Sequence, residues 1–159
     1  MFAANEMKML EVAVLTLAIS ACASANADPT CTVSASGVAF GNYNPLANAN
    51  ADGTGSVSVT CTGSATVTYT IGASTGSGAY LARKLVSGGQ TLNYNVYVDN
   101  TRTTIWGDGS SGTRLISGNV VATSGGATQA STVYGRISSA QATASVGSYS
   151  DTLTVTVTY

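Results

Sequence analysis

Residues 56–71 read SVSVTCTGSATVTYTI, and the alternation in this stretch decides the fold class. Val57, Val59 and Cys61 fall on one face of an extended chain and hydroxyl residues on the other. Val67, Tyr69 and Ile71 repeat the pattern, as strands with one buried face do. The short link Thr62-Gly63-Ser64 between them predicts a hairpin. Working outward, Leu92 to Val98, Thr132 to Ile137 and Leu153 to Tyr159 alternate in the same way, and Thr32 to Phe40 and Gly118 to Thr123 are shorter candidates. Between them lie turn-forming clusters such as NPLANANADGTG, STGSG, SGG and WGDGSSG. No part of residues 28–159 carries a helical apolar period. The expected class is all-β, with seven or eight strands in a two-sheet sandwich.

The first residues read differently. Lys8 precedes an apolar run from Val12 to Ile19, and small residues lead to Ala25-Asn26-Ala27. This is the pattern of an export signal, so residues 1–27 are expected to be removed and Asp28 to begin the mature chain. The run falls short of the roughly 20 residues that cross a bilayer. A second reading makes Cys22, in Ile19-Ser20-Ala21-Cys22, the acceptor of a lipid anchor.

Over residues 28–159 the charges cancel: Asp28, Asp52, Asp99, Asp108 and Asp151 against Arg83, Lys84, Arg102, Arg114 and Arg136. Neutrality of this kind argues against a nucleic-acid or anionic-membrane partner, and it leaves little repulsion between copies. Cys31 and Cys61 are an even pair in an exported chain, which predicts a disulfide. Metal ligation is the alternative for them, but this part of the chain has no His and no third Cys.

Catalytic materials are scarce. There is no His or Glu after residue 27, and Lys84 does not follow a serine at the S-x-x-K spacing. No enzyme, cofactor or small-molecule substrate is expected. Asn48, Asn50, Asp52 and Gly53 match the first half of a calcium-binding loop, but its twelfth position would be Val59, so an Asx-rich turn is the expected reading. Trp106, in WGDGSSG, either covers a core edge or stands exposed for surface recognition.

The C-terminal run DTLTVTVTY places Leu153, Val155, Val157 and Tyr159 on one face and four threonines on the other. Eight residues at about 3.3 Å each give a strand of roughly 26 Å. It contains no Lys or Pro to blunt a free edge. Either it lies inside a sheet, or its edge is meant for a partner strand.

Several ordered segments resemble the spore coat protein U domain family. They are Cys31-Thr32-Val33, Phe40-Gly41-Asn42-Tyr43, Gly55 to Cys61, Tyr80 with Arg83, Leu92 to Asp99, Val133 to Ile137 and Gly147 to Tyr159. The resemblance implies an immunoglobulin-like sandwich in an exported structural protein. Such proteins include coat proteins and subunits of archaic chaperone-usher pili that serve adhesion and biofilm formation. In those pili a periplasmic chaperone lends the incomplete sandwich a strand, which a sibling subunit replaces at an outer-membrane usher. The last strand, with Leu153, Val155, Val157 and Tyr159, would then be the pairing edge. One departure is that only Asp28, Pro29 and Thr30 precede Cys31, too few for a donor strand, so the chain is expected to accept a strand rather than give one. Two other readings stay open: a self-complete coat protein that associates laterally, and a carbohydrate-binding tip module using Trp106.

Overall fold

The computed structural model describes residues 28–159; the expected signal peptide and Cys22 lie outside them. In chain order the strands are β1 (Thr30–Ser36), β2 (Ala51–Thr62), β3 (Thr66–Ala73), β4 (Gly78–Ala79), β5 (Ala82–Ser87), β6 (Gln90–Tyr97), β7 (Ile116–Val121), β8 (Ala127–Ile137) and β9 (Val155–Thr158). They form two antiparallel sheets, one of six strands in the order β1-β2-β8-β6-β5-β4 and one of three in the order β7-β3-β9. The expected all-β sandwich is therefore present. Beyond the seven stretches read from the sequence it contains the β4–β5 hairpin.

The alternation sets which face goes inward. Val57, Val59 and Cys61 of β2 and Val133 and Ile137 of β8 are buried in the large sheet, and Val67, Tyr69, Ile71 and Ala73 of β3 are buried in the small one. Facing apolar surfaces of two sheets exclude water together, which is what holds a sandwich closed. This geometry corrects the expected hairpin. β2 and β3 do not pair; they belong to different sheets. The link Thr62-Gly63-Ser64 carries the chain across the sandwich because both strands must send their apolar faces into one core. Gly63 makes the crossing at φ +138° beside Pro29, and its N–H donates to the Thr123 carbonyl at 3.2 Å.

After β1 the chain folds over the inner face of the large sheet. Gly135 permits this, since a Cβ there would lie 2.6 Å from Val38 Cγ1. Phe40 then meets Tyr94 edge to face, with ring centroids 5.9 Å apart. The segment at 37–40 thus closes one end of the core and stops short of β9.

Cys31 and Cys61 stand opposite each other in the β1–β2 ladder and are joined by a disulfide. β1 is an edge strand with β2 as its partner, so the bond fixes it at one end. The Asn-rich stretch before β2 is a turn: Asn44 Oδ1 accepts from the Leu46 N–H at 3.0 Å, and Asn50 Oδ1 accepts from the Ser139 N–H at 2.8 Å. Asp52 takes two hydrogen bonds from Arg136, at 2.7 and 2.8 Å, and an ion pair from Arg102 at 3.3 Å. Its oxygens hold β2 to β8 and the Arg102 turn.

Two outcomes follow from these contacts. Reducing the disulfide, or replacing both cysteines by serine, will lower stability in urea unfolding by roughly 3–4 kcal/mol, the loop-closure contribution for this separation. The hydrogen bond from Arg136 holds the Asp52 carboxyl below its ordinary value, aided by the Arg136 and Arg102 charges and opposed by desolvation. A depressed carboxyl stabilises the fold above its unfolded value of about 4 and loses that contribution as pH falls through the lower folded value. Acid titration of stability will therefore be shallower in Asp52→Asn.

Candidate strand-pairing site

The site begins with a buried charge. Arg83 of β5 is fully buried, and a guanidinium is tolerated there only if its donors are satisfied. Nε and NH2 both donate to the Ser74 carbonyl, at 3.2 and 2.7 Å. NH2 also donates to the Trp106 carbonyl at 2.9 Å, and NH1 to Asn95 Oδ1 at 2.8 Å. Burial pulls the guanidinium below its ordinary value; the nearby phenols of Tyr94 and Tyr80 and the Asp151 carboxylate pull the other way. Each phenol in turn reaches an aspartate. Tyr94 donates to Asp151 at 2.7 Å, and Tyr80 is hydrogen-bonded to Asp108. Desolvation first, then that bond to Asp151, raises the Tyr94 phenol well above its ordinary value, so it remains a donor at neutral pH.

This network sets where the last strand starts. Ser74, fixed by Arg83, donates its N–H to the Thr154 carbonyl at 2.9 Å and accepts the Thr154 N–H on its hydroxyl at 2.9 Å. Asp151 is held by Tyr94 and by the Ser77 N–H at 3.0 Å. β9 then pairs with β3 from Ala73↔Val155 to Thr70↔Thr158. It is shorter than the run Leu153 to Tyr159 read from the sequence, because at Thr154 the Ser74 hydroxyl takes the place of one backbone partner and Asp151 is held by side-chain contacts.

β9 is an edge strand: among the described residues no strand pairs with its other side. Amide directions alternate along a strand. Since Thr154 faces β3, the N–H and C=O groups of Val155 and Val157 point to the open side. The side chains of Leu153, Val155 and Val157 are half-buried against the core, whereas Tyr159 is 55% exposed. Of the four residues expected on the pairing edge, three line the core margin and Tyr159 projects beyond it.

Beside this edge runs a groove of about 310 Å³ between residues 35–38 and residues 151–155. Its floor is made of core side chains: Val57, Leu85, Tyr94, Val96, Trp106 and Val133. Apolar core surface is thus reachable from one side of the sandwich, next to unpaired backbone groups. Trp106 is part of that floor. It is 3% exposed, and its Nε1–H donates to the Ile71 carbonyl at 3.0 Å. This corrects the expectation of Trp106 as an exposed recognition residue: the ring covers the core, and only the backbone beyond it reaches the loop tip.

The family model of the Spore Coat Protein U domain matches residues 16–156. The chain belongs to this family. No curated protein matches it. Among solved structures it is similar to a chain of the CsuC-CsuE chaperone-tip adhesion subunit pre-assembly complex from archaic chaperone-usher Csu pili of Acinetobacter baumannii, with a TM-score of 0.58 and 23% identity. The likeness covers 82% of this chain and 40% of that one, so this chain spans less than half of the other's length. At that identity the likeness establishes a shared fold.

Arg83→Met removes four hydrogen bonds and takes the donor from the Ser74 and Trp106 carbonyls, while Asn95 Oδ1 keeps the Val96 N–H. Thermal unfolding should show a loss of about 3 kcal/mol or more. Arg83→Lys should recover little of it, because an ammonium has no fork with which to span three acceptors.

Proposed function

We propose that the chain is a structural subunit of a surface fibre assembled by the chaperone-usher route, and that β9 with its groove is where a partner strand is received. The observation that carries this reading is the open side of β9 lying beside a groove floored by the core. A sandwich with unpaired strand groups along an apolar opening is a template for β-strand addition, in which backbone hydrogen bonds give affinity and alternate side chains fill pockets. The strand has no Lys, Pro or bulge to discourage pairing.

Family membership and the fold shared with a chaperone-bound tip adhesion subunit support the same reading. In it the chain passes through the periplasm, where a pilus chaperone occupies the groove first. It is then handed at an outer-membrane usher to a sibling subunit and reaches the cell surface, where the fibre serves adhesion and biofilm formation. The chain's role is mechanical and not catalytic.

Val155→Asp with Val157→Asp places one carboxylate in the groove lining and a second beside it on the inner face of β9, while leaving the Thr154–Ser74 anchor in place. Co-purification with the periplasmic chaperone should fall to background. On unboiled SDS gels of sheared surface material the unsubstituted chain should run as heat-sensitive multimers, and the double variant should be missing from them. Normal chaperone capture and normal multimers in the variant would rule the reading out.

A further inference from the structure

We propose that a second site, on the solvent face of β3 and β9, binds a neutral sugar residue. A cleft of about 430 Å³ opens there, within the range of about 300–1,000 Å³ of small-molecule sites. Gly72, Thr154, Thr156 and Thr158 form its base, and Tyr80, Asp108 and Leu115 stand around it. It lies on the side of β9 away from the strand-pairing groove.

The chemistry of the lining selects the ligand. Threonine hydroxyls both donate and accept, and the single carboxylate accepts only. A ligand must therefore offer several hydroxyl donors and acceptors at once. No Lys or Arg lines the cleft, so an anion would meet the Asp108 charge without compensation. One carboxylate is too few to hold a hard cation, which takes six or more oxygen ligands. Leu115, 37% exposed, and the Tyr80 ring add apolar surface of the kind that the C–H face of a pyranose covers. A neutral hexose meets all four conditions.

The polar groups are also held in place before any ligand arrives. Asp108 Oδ1 accepts from the Ser110 N–H at 2.8 Å and from the Ser110 hydroxyl at 2.6 Å. These bonds, with the one from Tyr80, keep the carboxyl ionised below its ordinary value. The loop behind it turns through Ser111 at φ +51° and is pinned by buried Thr113. The Thr113 hydroxyl accepts from the Gly109 N–H at 3.1 Å and donates to the Ser110 carbonyl at 2.7 Å. Tyr80 is clamped from the core: the Arg83 guanidinium lies 5.4 Å from its ring centroid, and its carbonyl accepts from Asn95 Nδ2 at 2.8 Å. Preorganisation of this kind lowers the ordering cost of binding.

The test is an NMR titration of the protein as isolated from the cell. The probes are the methyl glycosides of glucose, galactose, mannose and N-acetylglucosamine, with N-acetylneuraminic acid as the anionic control. At least one neutral glycoside should shift the amides of Gly72, Asp108 and Thr156 saturably, and the acid should not. Asp108→Asn should weaken that binding about tenfold or more, the scale of a hydrogen bond to a charged group. Thr156→Val, which keeps the strand's shape, should weaken it without changing the melting temperature. The proposal is overturned if no neutral glycoside shifts these amides, if the acid binds equally well, or if both variants bind like the unsubstituted chain. None of these results bears on strand pairing, which uses the opposite side of β9.

Discussion

The position of the last strand depends on one buried guanidinium. Arg83 puts two of its hydrogen bonds on the Ser74 carbonyl, and Ser74 in turn holds both backbone groups of Thr154. A charge in a core is costly unless every donor is met. The satisfied geometry is correspondingly narrow: Ser74 from the small sheet, Asn95 from the large one and the Trp106 carbonyl must converge on one plane. That convergence fixes the spacing of the two sheets at the point where β9 enters. Without it, a strand of four paired residues would have little to hold it, since short edge pairings are marginal in water.

Fixing β9 there leaves the sandwich asymmetric. Residues 37–40 cover one end of the core, where Gly135 lets Val38 and Phe40 approach, but among the described residues a groove stays open along the strip between Ala35 and Val155. Two costs coincide along that strip: apolar surface in water and unpaired strand groups. A single added strand removes both, because its backbone completes the ladder while alternate side chains enter the groove. The outward threonines of β9 take no part in this. They belong to a rigid polar face whose far wall, Tyr80 with Asp108, is connected to the same arginine.

Most of the layer structure was legible in the alternation, because a period of two with one apolar face has few other readings. The disulfide was legible too, from an even pair of cysteines after a segment that reads as an export signal. The misses have specific causes. β5 was hidden because one of its two inward positions is occupied by Arg83, which leaves Leu85 alone to carry the apolar pattern that marks a strand. The β2–β3 link looked like a hairpin because its length and glycine suit one; a sheet-to-sheet crossing of the same length differs only in what the flanking strands face. Trp106 stands at the head of a polar, glycine-rich loop that begins at Gly107, and nothing local told that its ring turns inward to the Ile71 carbonyl. The Tyr80–Asp108 cleft joins residues far apart in sequence. Its only early signal was an aspartate in a glycine-rich tip.

The central claim is that the open side of β9 receives a strand, and hydrogen exchange at Val155 and Val157 tests it most directly. In protein recovered from the cell surface, peptides spanning residues 151–159 should show these two amides protected to the level of the central strands β2 and β8. Rapid exchange at both, with Thr156 and Thr158 protected by β3, would mean that the edge stays bare and would contradict the account.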